Sequence, residues 1–377
     1  MKKFLSVALI LGILCVTVPF SAAAATAADG WFYNQLDPNA KAIYRGIVNN
    51  AASNQEFVVE LPSPVPLSVS GNYLSSAEQQ RGWDALEPEI QLTADAIWID
   101  RSDLFWIENY NWHDYGLINN SGSTYTWSIS EVYIKINFAP QYTDIAGTAA
   151  QLQNAVSTFP VAGSVRYDKL RSIHDRLVNT ITYDANDPYA HQATGGLLRG
   201  KGVCETYARS FKMICDYIGI PCVLVVSDDH MWDAVQMEDQ RWYLVDATWD
   251  DAWYGLSTIY FLVGTDTVCE GVPFSQSHVA TGDLSGSGHE NFSYPPMSAT
   301  AYQQPVRPAS AFIGDINRDG SVDTVDVRLV LQFIIGKKLF PDASTFARAD
   351  VNWDGEVNTV DARLMLQYIV GKVSSFQ

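Results

Sequence analysis

The sequence predicts an α+β fold with a small helical module at its C-terminal end. Helical patterns over residues 164–179 and 204–218 precede strand-like runs over 222–226, 231–237 and 241–248. A group of helices followed by a group of strands is typical of α+β domains. The C-terminal end instead contains two similar loop–helix units, the second beginning 35 residues after the first.

The N-terminus has the pattern of a secretory signal peptide, which we place at residues 1–28. Lys2 and Lys3 precede an apolar run over residues 4–20, and small residues follow it. A basic start, a short apolar stretch and an Ala-rich cleavage region are typical of such leaders. A membrane anchor is the alternative, but the apolar run is short and is interrupted by Pro19.

The charge of the chain argues against nucleic acid as a partner. The formal net charge is −18, and loss of Lys2 and Lys3 with the leader would make it −20. No basic stripe accompanies this acidic surface, which would repel phosphate backbones. No later apolar run is long enough to span a bilayer, so we expect a mature chain outside the cell without a membrane span.

Four cysteines remain after the predicted leader. They are Cys204, Cys215, Cys222 and Cys269. An exported protein can form disulfides, but four scattered cysteines do not make a disulfide scaffold. If one of them is a working thiol, the other three allow one bridge at most. Cys215 and Cys222 are candidates by proximity, and buried free thiols are the alternative.

Residues 29–160 form an aromatic-rich region to which the sequence assigns no role. Within it, residues 131–138 alternate with period two and predict a strand. Exposed aromatic side chains could line a sugar- or peptide-binding face. We favour the alternative, a core that is rich in aromatic residues.

Residues 161–294 contain the elements that predict catalysis. A Gly-rich loop over 195–202 leads into the second helical pattern at Cys204. Free N–H groups and the helix dipole lower the pKa of a thiol at this position, and the thiolate is the nucleophile. A base must then pair with the thiolate and protonate the leaving group.

His230 and Asp246 are the predicted partners of this thiol. If Met237 pairs with Arg241 across a short turn, the two strands bring His230 and Asp246 onto one face as diagonal neighbours. The carboxylate would then fix the tautomer of the imidazole. A slip of one residue would place them on opposite faces. Taken singly, each residue also has an ordinary structural role.

A Pro-rich linker is predicted at 295–311, and the two loop–helix units lie within residues 312–377. Each loop has Asp or Asn at the side-chain positions of a twelve-residue calcium loop and Gly at the sixth position, where the chain turns sharply. Position seven contributes a backbone carbonyl. The predicted ligands of two Ca²⁺ ions are Asp315, Asn317, Asp319, Ser321, Asp323 and Asp326, and Asp350, Asn352, Asp354, Glu356, Asn358 and Asp361.

This C-terminal segment resembles a type I dockerin. The resemblance implies a small all-α calcium-binding domain that binds a cohesin domain on a scaffolding protein, in cellulosome-type complexes concerned with polysaccharide breakdown. Partner-reading residues of that family match Thr324, Val325, Thr359 and Val360 here. Because the two halves are nearly identical, either face could dock.

The middle of the chain, over roughly 165–265, is similar to the transglutaminase-like superfamily, whose fold is related to that of papain-type cysteine peptidases. The matching motifs are Ile181-Thr-Tyr183-Asp184, Gly200-Lys-Gly-Val-Cys204-Glu-Thr-Tyr-Ala, Gly219-Ile-Pro221, His230-Met-Trp232 and Trp242-Tyr-Leu-Val-Asp246-Ala-Thr-Trp249-Asp-Asp. The resemblance implies Cys204 as nucleophile, His230 as base and Asp246 as its orienter, with Tyr183 as a candidate for oxyanion support. Relatives often have Asn where this chain has Asp233, which would change the local charge.

Several functions remain open at this stage. The superfamily forms an acyl-enzyme thioester, which water or an amine can attack. We expect a peptidase acting on peptides or proteins without a catalytic cofactor, ahead of a cross-linking transglutaminase. A catalytically inactive docked binding protein is a second class. A glycosidase ranks last, because no pattern selects two carboxylates from Asp95, Asp100, Asp103 and Glu108.

Overall fold

The computed structural model describes residues 30–163, 165–253, 255–284, 286, 291–304 and 312–376. The predicted signal peptide and the second part of the predicted linker lie outside these residues. Within them, no helix combines the length and the apolar character that a membrane crossing requires. The structure is mixed α+β, as predicted.

The N-terminal region has two long helices and three long strands. After a 3₁₀ turn at Tyr33–Gln35, its elements are α1 Pro38–Asn49, β1 Phe57–Val69, α2 Ser76–Asp100, β2 Ile107–Ser121 and β3 Thr124–Phe138. The strands form an antiparallel sheet in the order β1-β3-β2. The predicted strand at 131–138 is therefore confirmed as part of β3.

The two long helices were not predicted, although their starts carry local signals. Asp37 caps α1, where its side chain accepts the Ala40 N–H at 2.9 Å. Ser75 and Glu78 form a capping box at the start of α2. A Ser three residues before a Glu is a sequence signature of a helix start, so α2 was recognisable despite the aromatic residues that surround it.

Aromatic side chains of this region mainly fill its core. Trp106 and Trp127 are buried, as are Tyr33 and Tyr44, which pack edge to face with ring centroids 4.8 Å apart. Tyr115, on the other face of the sheet, is exposed. The preferred interpretation of the aromatic pattern thus holds for most of these residues.

The central region carries the predicted helices and sheet. Its elements are α3 Ile145–Ser157, α4 Arg166–Thr180, β4 Thr182–Tyr183, a π-helical turn at Gly195–Arg199, β5 Lys201–Gly202, α5 Cys204–Tyr217, β6 Cys222–Val226, β7 Met231–Gln236, β8 Trp242–Val245, β9 Asp251–Ala252, β10 Gly255–Leu256, β11 Phe261–Val263, β12 Val268–Cys269, β13 Val272–Pro273 and α6 Phe274–Ser277. Strands β11-β8-β7-β6 form an antiparallel sheet, against which α5 packs.

The start of the predicted linker is bonded to this sheet. The Ser298 N–H donates to the Trp242 carbonyl at 2.8 Å, and the Tyr302 N–H donates to the Leu262 carbonyl at 2.9 Å. Proline content alone indicated a free segment here. The strands instead offer edge carbonyl groups that this segment satisfies.

The C-terminal module is helical and has its own core. Its helices are α7 Thr324–Ile334, α8 Ala343–Ala349 and α9 Thr359–Ile369. Val330, Phe333 and Met365 are buried between α7 and α9. Helix α8 was not predicted, and Asp342 caps it by accepting the Thr345 N–H at 2.7 Å.

Candidate active site

Cys204 is the first residue of α5 and follows a tight loop. A β-carbon built on Gly202 would lie 2.1 Å from Thr206 Oγ1, so this close approach of loop and helix requires glycine. Among the described residues, no side chain caps the helix at Val203. The Cys204 thiol is free and partly exposed at the positive end of the helix dipole, which stabilises a thiolate.

His230 and Asp246 lie at the two open ends of the β7–β8 hairpin. His230 directly precedes β7, and Asp246 directly follows β8. The Met237 N–H donates to the Arg241 carbonyl at 2.9 Å, and the predicted strand register is confirmed. This register brings His230 Nε2 to 2.6 Å from Asp246 Oδ2.

His230 also contacts the thiol of Cys204. Because Nε2 is bonded to Asp246, the other ring nitrogen is left for the thiol. Burial disfavours the charged ring, but hydrogen bonds and charges of Asp246 and Cys204 raise the pKa of His230 from 6.5 to about 10. At neutral pH the ring is an imidazolium, which can stabilise a thiolate and later donate a proton.

Each carboxylate oxygen of Asp246 accepts two hydrogen bonds. Oδ1 accepts the backbone N–H groups of Thr248 at 2.9 Å and Trp249 at 3.1 Å. Oδ2 accepts from His230 and, at 3.0 Å, from His278. Burial alone would raise the pKa of Asp246, but the hydrogen bonds with the two imidazoles lower it to about 2.

His278 is a residue of this site that sequence reasoning missed. It follows α6, and its side chain is fully buried. His230, Asp246 and His278 have side chains of types that can bind a metal ion, and their potential ligand atoms lie within 4.8 Å of one another. No other such group of three is found in the described part of the chain. The spacings of 2.6 and 3.0 Å to Asp246 Oδ2 are those of hydrogen bonds.

Tyr183 lies beside the thiol. Its strand β4 pairs in parallel with β5, so that Tyr183 is opposite Gly202, two residues before Cys204. Burial and the charge of Cys204 raise the pKa of Tyr183. The phenol is exposed, and its role in oxyanion support stays a prediction.

The calcium loops have the same geometry twice. Asp315 and Asp350, at position one, accept from backbone N–H groups at positions five and six at 2.9–3.2 Å. The position-six glycines have φ near +89°, a left-handed conformation that favours glycine. Asp326 and Asp361, at position twelve, are fully buried and accept only backbone N–H groups among the contacts found.

The second loop concentrates negative charge that a cation would offset. Burial, together with the charges of Asp361 and Asp354, raises the pKa of Asp350 to about 7. Oxygen ligands on a turn of this shape suit Ca²⁺. In this second loop the remaining predicted ligands are the side chains of Asn352 and Asn358 and the backbone carbonyl of Glu356.

Two family models match the chain. Residues 158–247 match the transglutaminase-like superfamily, and residues 313–370 match the type I dockerin domain. The chain carries a transglutaminase-like domain and a type I dockerin domain. Both resemblances inferred from the motifs are thereby confirmed, and type I dockerin domains typically bind calcium.

Solved structures add distant likenesses. One, described as a TGase, is 13% identical with a TM-score of 0.25, and 52% of each chain is covered. Another, from Cytophaga hutchinsonii and described as a candidate cysteine protease, is 11% identical with a TM-score of 0.22, covering 51% of this chain and 74% of that one. The chain thus spans about half the length of the first. None of the curated proteins matches it.

Asp233 lies in β7, and its predicted effect on the local charge stays a prediction. The side chain is 1% exposed and Oδ1 accepts from Cys222 Sγ at 3.3 Å. Burial, with the nearby Cys222, raises the pKa of Asp233 well above its usual value. Burial therefore favours the neutral form of this carboxyl group over the ionised form.

The remaining cysteines are buried free thiols, the second of the two alternatives considered. Cys215, Cys222 and Cys269 are all buried and form no disulfide. Burial raises the pKa of each thiol. Among the described cysteines, Cys204 alone is partly exposed, which is required of a working thiol.

A polar network next to Cys204 joins the transglutaminase-like domain to the N-terminal region. Glu205 contacts His191 Nδ1 at 2.5 Å and Arg209 at 3.2 Å. Arg209 is 1% exposed, donates to the Trp98 carbonyl at 2.8 Å and lies 4.9 Å from the centre of the Trp98 ring. Helix α2 of the N-terminal region therefore supports the helix that begins with Cys204.

The dockerin contacts the tip of the β7–β8 hairpin. Gln240 Nε2 donates to the Phe333 carbonyl at 2.7 Å, and Arg241 donates to the Phe340 carbonyl at 3.1 Å. The predicted partner-reading residues lie elsewhere, in the first turns of α7 and α9. Thr324, Val325 and Thr359 are exposed and Val360 is half-buried.

Proposed function

We propose that this chain is an exported, cysteine-dependent acyl-transfer enzyme that hydrolyses amides of peptides or proteins. The observation that carries the proposal is the contact of His230 with both Asp246 and Cys204 at the start of α5. A partly exposed thiol, a charged imidazole and an ionised carboxylate in this order are the groups that thiol catalysis requires.

The reaction proceeds in two acyl transfers. The Cys204 thiolate attacks the amide carbon, and the imidazolium of His230 donates its proton to the departing amine, which leaves a thioester. Neutral His230 then takes a proton from water as the water attacks the thioester. The carboxylic acid leaves, and the thiolate–imidazolium pair is restored. Asp246 orients the ring throughout and stabilises its positive charge whenever the ring is protonated.

The oxyanion of each tetrahedral intermediate needs hydrogen-bond donors. The backbone N–H of Cys204 is one, because it belongs to the uncapped first turn of α5. The Tyr183 hydroxyl is the second, because its strand pairs with the loop that leads to Cys204. Both donors come from elements adjacent to the nucleophile.

Amine transfer is the second candidate, favoured by the limited exposure of the base. The His230 side chain is 15% exposed, and its ring lies 5.7 Å from Trp249 and 5.8 Å from Trp232. Restricted access of water to the thioester would favour an amine nucleophile. A protein-glutamine cross-linking activity would follow.

The dockerin would attach this enzyme to the cohesin of a scaffolding protein outside the cell. We assign one Ca²⁺ to each loop, with the ligand positions predicted above, and assign cohesin contacts to Thr324, Val325, Thr359 and Val360. Their matching positions in the first turns of α7 and α9, where only Val360 is half-buried and the other three are exposed, support this assignment. The domain boundaries at 161–294 and 312–377 belong to the same proposal.

The test is to incubate the calcium-loaded chain with unfolded proteins, with and without a labelled primary amine, and to map the products by mass spectrometry. Cys204→Ala is the inactive variant, and Cys269→Ala is the matched control for loss of a thiol outside the site. New chain ends that only Cys204→Ala abolishes indicate a peptidase, whereas amine adducts on glutamine indicate a transglutaminase. Equal behaviour of wild type and Cys204→Ala would leave a docked binding protein.

A further inference from the structure

We propose that His278 is a positioning residue of the catalytic site, which holds Asp246 and thereby sets the orientation and proton affinity of His230. The proposal rests on the proposed function of Cys204, His230 and Asp246. His278 Nε2 lies 3.0 Å from the same carboxylate oxygen, Oδ2, that His230 Nε2 contacts at 2.6 Å. His278 lies 31 residues beyond the end of the transglutaminase-like match at 247.

Packing fixes the position of the His278 ring. Its side chain is fully buried and stacks on Phe274, with centroids 3.8 Å apart and planes 17° apart. The Trp249 ring lies 4.4 Å away on a different segment. The backbone N–H of His278 donates to the Phe274 carbonyl at 2.9 Å. The ring therefore cannot turn away from Asp246 without disrupting this aromatic cluster.

The hydrogen bonds also define which nitrogen is protonated. An ionised carboxylate can only accept, so His278 Nε2 must carry a proton towards Asp246. Nδ1 lies 2.8 Å from the Ser277 hydroxyl, which also donates to the Phe274 carbonyl at 3.2 Å. The Ser277 contact holds the Nδ1 side of the ring, so that Nε2 faces Asp246.

This second donor has two consequences for His230. With two backbone N–H groups on Oδ1 and two imidazoles on Oδ2, the Asp246 carboxylate cannot rotate. The His278 hydrogen bond also draws negative charge from Oδ2. Its loss would strengthen the attraction of Asp246 for the proton of His230, making the imidazolium a weaker acid towards the leaving amine.

Other titratable groups surround His230 and Asp246, and a substitution of His278 leaves them in place. They are Cys204 from α5, Asp233 from β7, Asp250 after β8, Tyr260 before β11, and Glu270 and Cys269 at β12. Asp233 accepts from Cys222 Sγ at 3.3 Å, and Asp250 is bonded to His174 at 3.0 Å. The direct hydrogen bond to Asp246 distinguishes His278 from all of these.

The test compares two substitutions at this position. His278→Phe keeps a ring that can stack on Phe274 but removes the donor. His278→Gln provides an amide N–H near the position of Nε2. We expect His278→Phe to lower kcat/KM about tenfold to hundredfold, the effect of one charge-assisted hydrogen bond, and His278→Gln to restore most of it. Circular dichroism checks folding, and His278→Met replaces the Phe variant if that variant does not fold.

The deciding measurement is the pH profile of Cys204 alkylation by iodoacetamide, which needs no peptide substrate and is compared with Cys204→Ala. The alkaline inflection, where His230 loses its proton, should move to higher pH in His278→Phe and return in His278→Gln. An unmoved inflection in a folded His278→Phe variant, or equal losses in both variants, would overturn the proposal. If the wild-type pH profile of alkylation gives no sign of a thiolate–imidazolium pair, the proposed function itself is refuted.

Discussion

Replacement of Asp246 by Asn tests the catalytic geometry with little change in shape. The Asn side-chain oxygen can still accept the N–H groups of Thr248 and Trp249, so the turn after β8 should persist. Its NH₂ group would then face His230 Nε2, in place of an acceptor. The ring must present a lone pair to this donor, and its single proton moves to the nitrogen that faces Cys204.

The size of the effect follows from the environment of His230. A rise in pKa from 6.5 to about 10 is equivalent to about 5 kcal/mol in favour of the imidazolium, shared between Asp246 and Cys204. Asp246→Asn removes one of these partners but leaves the burial that opposes the charge. We expect the pKa of His230 to fall and kcat/KM to decrease about 10³- to 10⁴-fold, the effect of a wrong tautomer in a triad.

The assay is the rate of Cys204 alkylation by iodoacetamide as a function of pH, with kcat/KM on a peptide substrate beside it. Asp250→Asn is a matched control, because Asp250 is also buried and bonded to an imidazole, that of His174, at 3.0 Å. The control should lose stability but keep the alkylation profile. Alkylation of Asp246→Asn at neutral pH within about threefold of the wild-type rate would refute the reasoning.

Three further predictions concern pH, calcium and the N-terminal region. The pKa of His230 is raised on folding, so its contribution to stability is complete below about pH 6.5 and is lost as the pH rises through about 10. The Tm of the wild type, measured by circular dichroism, should therefore fall over this pH range by more than the Tm of His230→Gln. Chelation of calcium with EGTA should abolish cohesin binding measured by calorimetry, and Asp350→Ala should raise the calcium requirement; unchanged binding in EGTA would contradict the calcium assignment. Arg209→Met should destabilise the fold by about 2–4 kcal/mol in urea unfolding, because it leaves the Glu205 carboxylate and the Trp98 carbonyl with fewer donors. Arg45→Met, at an exposed arginine over the Tyr33 ring, should cost less than about 1 kcal/mol, and equal costs for the two variants would contradict this account.

Features encoded by neighbouring residues were predictable from the sequence. Each calcium loop is contiguous, so its Asp, Asn and Gly positions are visible directly, and the dockerin match follows them. The β7–β8 register was predictable as well, because a short turn between Met237 and Arg241 leaves few ways to pair the strands. With this register, His230 is expected to lie beside Asp246, as the structure has it.

Features that depend on distant segments were not predictable. His278 reaches Asp246 only because the chain returns to the sheet 32 residues later, and no spacing encodes that return. Helices α1 and α2 were not predicted from the aromatic-rich pattern, because which of their faces is buried depends on the sheet that they cover. The raised pKa of Asp233 likewise depends on burial against Cys222.

The sequence by itself thus determined the residue types and local order of the predicted nucleophile, base, carboxylate and calcium ligands. Only the tertiary structure decided which second imidazole binds Asp246, which carboxyl group is buried beside a thiol, and which helix supports Cys204. The physical reason is that desolvation and hydrogen bonding act between segments that are close in space, whereas a sequence pattern records only residues that are close along the chain.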